Sequence, residues 1–289
     1  MTVMGDARRE GFSDRGSIPL RSTKSSVVTE LFLHLSYTPA GYIMSFKREV
    51  DNMKEQLYTI PVNDAFETDC ECPLCLMHSQ LEKDAIDFTL GPSYMEDDIR
   101  METDKIGFCS HHMKQMYKNQ NRLGVALMLH THMKKTISTI EKMSKSSSPA
   151  KKSLFSKKES SDIQKYTEDL SHSCFICNRI DGVFKRYLAT IIHCYKHDSD
   201  FPAKFEKSKG FCTTHYGMLY DAAGSLGSSD QQKFIEALNN IYLTNMKRVA
   251  DDLEWFIDKF DYRNEDKPWK NSKDAIPRSI IKTNSYFEE

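Results

Sequence analysis

Glycine and proline are scarce in this chain, which has 12 and 9 of them among 289 residues. All-β folds need many tight turns, and tight turns depend heavily on both residue types. Their scarcity favours a helical protein. Long apolar runs are also absent, since no uninterrupted run reaches the roughly 18 residues expected of a membrane-spanning helix. We therefore expect a soluble protein with no membrane contact.

A surplus of positive charge is missing as well. The chain has 40 Lys and Arg against 41 Asp and Glu, which gives a formal net charge of −1. Because globally basic nucleic-acid binders show a marked cationic excess, that class is disfavoured and any basic patch must be local. The sequence also lacks a P-loop, a G-x-G-x-x-G and a G-x-S-x-G motif, so nucleotide chemistry and acyl transfer have no support.

Eight cysteines are present, of which six lie in four short motifs and a seventh, Cys70, lies two residues before the first motif. A Cys-x-x-Cys motif at 72–75 is followed by Gly-Phe-Cys-x-x-His at 107–112, and the same pair recurs at 174–177 and 210–215. A nearly constant offset between such unusual residues is typical of an internal duplication. The sequence predicts an all-α protein of two similar helical lobes, each with its own metal site.

Cysteine thiolates and imidazole are the ligands that zinc prefers, and three sulfurs with one histidine close a tetrahedral structural site. Stable disulfides are not expected in the cytoplasm, where we place this chain, because glutathione keeps thiols reduced. We predict two zinc ions and no catalytic residue; an iron-sulfur cluster is less favoured because it usually takes four thiolates. The predicted ligands are Cys72, Cys75, Cys109 and His112 in the first lobe, and Cys174, Cys177, Cys212 and His215 in the second.

Two further residues complicate these ligand sets. Cys70 and His172 each lie two positions before a Cys-x-x-Cys motif. We interpret both as spectators, since four ligands already close a structural site, although replacement of a ligand stays open. Cys194 falls on an apolar helical stripe and is expected to be a small buried side chain.

Apolar residues at helical spacing mark two of the predicted helices. The stripe that follows the second Cys-x-x-Cys consists of Ile180, Phe184, Tyr187, Ile191 and Cys194. The stripe that follows the first Cys-x-x-His consists of Ala126, Leu129, Met133, Ile137 and Ile140.

Shifts in composition predict the domain boundaries. Within residues 1–52 the stretch 11–23 lacks periodicity, and its core resembles a translated transfer-RNA gene. We therefore expect a misplaced start codon, with initiation at Met44 or, better, Met53, and a disordered tail. A signal peptide is the less favoured alternative, because Glu30 and His34 interrupt its apolar run. The remaining predicted units are a first helical repeat, a Ser/Lys-rich linker, a second helical repeat and a C-terminal strap, at 53–143, 144–165, 166–265 and 266–289.

Three functions are compatible with these features. The first is a non-enzymatic zinc-stabilised scaffold that binds an unknown protein partner. The second is a thiol-based redox sensor that releases zinc on oxidation. The least favoured is nucleic-acid binding through the linker lysines, which are Lys142, Lys145, Lys151, Lys152, Lys157 and Lys158.

The paired motifs also carry a family resemblance. CPLC with GFCSHH, CFIC with GFCTTH, and the tail DAIPRSI resemble an uncharacterised bacterial family known only as a domain of unknown function. The resemblance covers Met53 to Ile281 and implies that the preceding residues are foreign to the family. It implies no activity.

Overall fold

Eleven α-helices and no strands are found in the part of the chain that this computed structural model describes, residues 57–146 and 160–285. The prediction of an all-α fold is confirmed for these residues. In chain order the helices are α1 (57–67), α2 (Pro73–Leu90), α3 (Asp97–Ile106), α4 (Ser110–Lys118), α5 (Arg122–Ser146), α6 (Asp162–His172), α7 (Phe175–His197), α8 (Phe201–Lys207), α9 (Thr213–Ala222), α10 (Ser228–Asp258) and α11 (Ala275–Asn284).

Each of the four cysteine motifs begins a helix. Cys72 is the N-cap of α2 and Cys174 the N-cap of α7, while Cys109 and Cys212 cap α4 and α9. Pro73 occupies the first turn of α2, where a missing backbone N–H costs nothing because that group has no partner within the helix. The ligand-bearing cysteines therefore all lie where backbone N–H groups point out of a helix end.

Helices α2 and α7 pack side by side and antiparallel. The first turns of α2 share one apolar core with the middle of α7, whereas the last turns of α2 share a second core with the start of α7. In the first core Leu74 and Met77 join Phe184, Tyr187 and Ile191; in the second Ala85, Ile86 and Leu90 join Phe175, Ile176 and Ile180. The two Cys-x-x-Cys motifs consequently lie at opposite ends of this helix pair.

The apolar stripe predicted on α7 is buried, and Cys194 is buried with it. The prediction that the apolar stripe of α5 packs in the core is wrong. The buried residues of that helix are Gly124, Val125 and Met128, while Met133 and Ile137 are 59% and 53% exposed. The buried face of α5 is on a different side of the helix from the predicted stripe, because α3, the main neighbour of α5, covers Val125 and Met128.

The described residues, 57–146 and 160–285, belong to one compact unit. The predicted tail at 1–52 and the central part of the predicted linker lie outside the described residues, so these boundaries stay predictions. Helix α5 extends to Ser146 and α6 begins at Asp162, so both ends of the predicted linker are helical. No helix in the described part of the chain has the length and apolar character needed to cross a membrane.

Candidate metal centres

Two buried clusters of three cysteines and one histidine lie at the two ends of the α2–α7 pair, and each could hold a metal ion. Within each cluster the ligand atoms all lie within 4.8 Å of one another. Site A consists of Cys72, Cys75, Cys212 and His215. Site B consists of Cys109, His112, Cys174 and Cys177. All eight side chains predicted from the motifs are therefore brought together, four in each cluster.

The grouping of the candidate ligands within each predicted repeat is wrong, because each cluster combines one motif from the first predicted repeat with one from the second. The Cys-x-x-Cys of the first repeat meets the Cys-x-x-His of the second, and the reverse holds at site B. Helix α2 has 18 residues, which carries the chain roughly 27 Å away from Cys72 at about 1.5 Å per residue. At its far end the chain meets the start of the antiparallel α7, so the nearest Cys-x-x-Cys is the one at Cys174.

Backbone contacts hold the exchanged motifs together at site B. The N–H of Phe175 donates to the carbonyl of Gly107 at 2.9 Å, and the hydroxyl of Ser173 donates to the carbonyl of Ile106 at 2.6 Å. These bonds join the residues around Cys174 to those just before Cys109.

At site A a buried lysine holds the two motifs together. The ammonium of Lys282, on α11, donates to the carbonyl of Glu71 at 2.7 Å and to that of Lys209 at 2.5 Å. Glu71 precedes Cys72, and Lys209 lies three residues before Cys212. The side chain of Lys282 is 1% exposed and also pairs with the Glu71 carboxylate at 3.2 Å. Helix α11 therefore fastens the two segments of the chain that bring ligands to site A.

The glycines of the two Gly-Phe-Cys motifs have positive φ angles. Gly107 has φ 71° and Gly210 has φ 83°, a region that L side chains rarely adopt. A Cβ at Gly107 would also lie 2.6 Å from the ring of His132, which makes a hydrogen bond from Nδ1 to the carbonyl of Asp104. The motif needs glycine here because the chain turns sharply from a helix end towards the ligand cysteine.

The donor atoms are spaced as a tetrahedral zinc site requires. A zinc ion at about 2.3 Å from sulfur and 2.05 Å from nitrogen separates its ligand sulfurs by about 3.8 Å and sulfur from nitrogen by about 3.5 Å. The imidazole Nδ1 of His215 lies 3.5, 3.4 and 3.1 Å from the sulfurs of Cys72, Cys75 and Cys212, and the Cys75 and Cys212 sulfurs are 3.7 Å apart. In both clusters the four donors surround one central point.

Site B has the same arrangement. The Nδ1 of His112 lies 3.2 Å from Cys109, 3.3 Å from Cys174 and 3.4 Å from Cys177, while the Cys109 and Cys177 sulfurs are 4.0 Å apart. The close match of two independent clusters to one coordination geometry favours a shared ion type.

Burial raises the thiol pKa values within the clusters, whereas hydrogen bonds to His112 and to backbone amides lower the pKa of Cys174. Burial and the neighbouring Cys212 sulfur raise the pKa of Cys72 to about 12. Burial also opposes ionisation of Cys174, but hydrogen bonds to His112 and to backbone amides lower its pKa to about 6. Three thiolates this close repel one another, so a divalent cation among them would allow all three to ionise together.

Comparison with known proteins gives a family and no function. A family model described as a family of unknown function, DUF6062, matches residues 53–289. The chain belongs to that family. No curated protein and no solved structure matches it.

Beyond the eight cluster residues, the carboxylate of Glu82 contacts His112, the histidine of site B. At site B the His112 Nε2 donates to the Glu82 carboxylate at 3.0 Å, which holds Nδ1 towards the three sulfurs. That bond lowers the pKa of the Glu82 carboxyl to about 2, and His111, which contacts the same oxygen at 2.8 Å, acts in the same direction. Glu82 lies ten residues after Cys72. The residue ten positions after Cys174 is Phe184, and at site A its ring lies 5.2 Å from the His215 ring.

Glu82 and Lys282 were not predicted from the sequence. Their signals are weak, because one acidic residue on α2 and one lysine in the C-terminal tail look like ordinary surface residues until their burial is known. Of the two residues with an open role, Cys70 lies outside both clusters, and His172 is exposed, with its Nδ1 bonded to the carbonyl of Glu168 at 2.8 Å. Neither replaces a ligand in this arrangement.

We expect Glu82→Gln to weaken zinc binding at site B by about 10- to 100-fold, the range typical of lost ligand-orienting partners. The amide accepts a weaker hydrogen bond from His112, so the imidazole is held less firmly and is less basic. Competition with a chromogenic chelator measures the affinity of each site. The control is Asp84→Asn, an exposed carboxylate on the same helix, which should leave both affinities unchanged; equal loss in the two variants would contradict the role of Glu82.

Proposed function

We propose that this protein is a non-enzymatic helical scaffold, held together by two zinc ions and built to bind another protein. The observation that carries the proposal is the pair of Cys3His clusters, whose donor spacing fits tetrahedral zinc. Four protein ligands fill the coordination sphere of zinc, so neither site has the open position that hydrolytic zinc chemistry needs. Zinc bound in such sites contributes directly to folding stability.

Zinc is favoured over an iron-sulfur cluster on the chemistry of the donors. Each cluster has one imidazole, and the shortest sulfur-to-imidazole distances are 3.1 and 3.2 Å. Such spacing suits one central ion better than a cluster several ångströms across, and a [4Fe–4S] centre usually takes four thiolates.

We expect freshly reduced protein to contain two zinc ions per chain and to lose much of its helical structure when a strong chelator removes them. Elemental analysis measures the zinc, and circular dichroism during heating measures the stability. Cys70→Ser is the matched control, because Cys70 is a half-buried cysteine beside site A that belongs to neither cluster. It should keep two zinc ions, and wild-type protein without bound zinc would overturn the proposal.

We further propose that the chain arose by internal duplication. In support, each copy places a cysteine N-cap at the start of its long helix, a positive-φ glycine before its second motif, and another cysteine N-cap after that glycine. The repeat units at 53–143 and 166–265 would then be the descendants of one segment whose two copies exchange metal ligands.

The proposed partner-binding surface is the exposed stripe of α5. Met133 and Ile137 lie one turn apart and are 59% and 53% exposed, and Leu123, near the start of the helix, is 64% exposed. The exposed residues Lys134 and Lys145 follow the adjacent face. A partner helix with an apolar stripe flanked by acidic residues would complement both features.

Substitution of this stripe tests the partner-binding proposal. We expect Met133→Glu/Ile137→Glu to abolish capture of acidic proteins that wild-type bait retains from a cell lysate, because two carboxylates oppose both apolar burial and acidic partners. Leu243→Glu is the control, since Leu243 is 53% exposed on α10. The same capture by all three baits would contradict the surface, and capture lost only after nuclease treatment would assign it to nucleic acid.

A further inference from the structure

The two clusters differ in how well they are shielded from solvent. All four ligands of site A are buried, and Cys212 has no exposed surface. At site B Cys174 and His112 are buried, but Cys109 and Cys177 are only half-buried. A small oxidant in solution therefore reaches the sulfurs of site B first.

The charged neighbours of the clusters differ in the same sense. A zinc ion with three thiolates would carry a single net negative charge. At site A the residue that precedes Cys72, Glu71, has its carboxylate paired with the two cations Lys282 and Arg248. At site B the Glu82 carboxylate accepts a hydrogen bond from the Nε2 of His112 at 3.0 Å. A carboxylate there makes the imidazole a stronger donor to the metal and adds electron density to the site. This contact favours electron donation at site B, which acts in the same direction as the greater exposure of its sulfurs.

We propose that site B is an oxidation site, at which hydrogen peroxide joins Cys109 to Cys177 in a disulfide and expels the zinc ion. The zinc part of this inference rests on the proposed function, whereas the choice of cysteines does not. Their sulfurs are 4.0 Å apart. They are the two half-buried thiols of the cluster, and closing to the disulfide distance of about 2.05 Å takes a small movement once no ion separates them.

The reaction balances in two steps. One thiolate attacks a peroxide oxygen, the O–O bond breaks, and a sulfenic acid and hydroxide form. The second thiolate attacks the sulfenic sulfur, the S–S bond forms, and a second hydroxide leaves. Two electrons pass from the sulfurs to the peroxide, and the two hydroxides take up protons from water buffer. The zinc ion, left with Cys174 and His112, has lost half of its ligands and dissociates.

The disulfide would tie the same two parts of the chain that the zinc ion ties. Cys109 starts α4, before the segment at 147–159, and Cys177 lies in the first turn of α7, after it. Oxidation would therefore exchange one cross-link for another at site B while site A stays metallated.

The full-length protein, loaded with zinc and treated with a small excess of hydrogen peroxide, tests the inference. A chromogenic chelator follows zinc release, and peptide mapping without reduction identifies the disulfide. We expect one zinc ion per chain to be released before the other, one linked peptide pair containing Cys109 and Cys177, and recovery of both zinc ions after dithiothreitol and added zinc. The control Cys70→Ser should behave identically, since Cys70 lies outside both clusters.

Three results would overturn the inference: release of both ions at one rate, a first disulfide within site A, or a first disulfide between Cys174 and Cys177. The zinc content measured before peroxide is added tests the proposed function separately. Protein that holds no zinc at that stage contradicts the proposed function, while the peptide map still decides which thiols are oxidised first.

Discussion

The double variant Cys75→Ser/Cys109→Ser is expected to lose both zinc ions, whereas Cys109→Ser/Cys177→Ser is expected to keep one. In the exchanged arrangement Cys75 belongs to site A and Cys109 to site B, so the first variant damages both sites. Cys109 and Cys177 both belong to site B, so the second leaves site A complete. Pairing within each repeat predicts the reverse, namely one ion in the first variant and none in the second.

Elemental analysis of the two variants measures this difference of one ion per chain directly. They form a matched pair, because each replaces two sulfur ligands and shares the Cys109 substitution. Circular dichroism shows whether each variant is folded; the Cys109→Ser/Cys177→Ser variant retains the buried site A and the larger apolar core around it. Equal zinc contents in two folded variants would contradict the exchanged pairing.

When the chain is cut between the two predicted repeats, we expect the two fragments to remain associated in solution. A specific protease site placed within the segment at 147–159, outside the described residues, separates residues that carry Cys72, Cys75, Cys109 and His112 from those that carry the other four ligands. Because each zinc ion would take two ligands from either fragment, and α2 packs along α7, we expect both fragments to co-elute with two zinc ions.

Removal of the metal provides the second half of this experiment. After chelation in mild denaturant the cut fragments should separate, while the uncut chain under the same conditions should elute as a single species that contains all eight cluster residues. Analytical gel filtration with zinc analysis of each fraction makes both measurements. Fragments that separate while each retains one zinc ion would show self-contained repeats and would contradict the exchange.

Much of the fold and all eight cluster residues could be predicted from local patterns. Single helices are indicated by the scarcity of glycine and proline, by apolar stripes such as Ile180 to Cys194, and by the spacing within each motif. A helix depends mainly on residues within a few turns of one another, so such local signals suffice for it. The two motif pairs each supply the correct chemical set of ligands. Local pattern is sufficient for these features because Cys-x-x-Cys and Cys-x-x-His bring their own two ligands together over a single turn.

The pairing of the motifs could not be read from the same patterns. It depends on the antiparallel packing of α2 against α7, whose apolar faces carry no signal of direction. The misplaced core face of α5 has a related cause, since Met133 and Val125 are equally apolar and only contact with α3 decides which is covered. The roles of Glu82 and Lys282 likewise depend on tertiary neighbours far away in the sequence.

The crossed ligand sets have a consequence for synthesis of the protein. When a ribosome has made the first repeat, the nascent chain holds only half of each cluster, and neither half can close a coordination sphere. Site B first becomes complete at Cys177 and site A at His215, and the lysine that secures site A arrives later still, at position 282. Capture of the proposed zinc ions would therefore come late in synthesis, because the cysteines of the first Cys-x-x-Cys have no complete set of partners until the downstream helices are made.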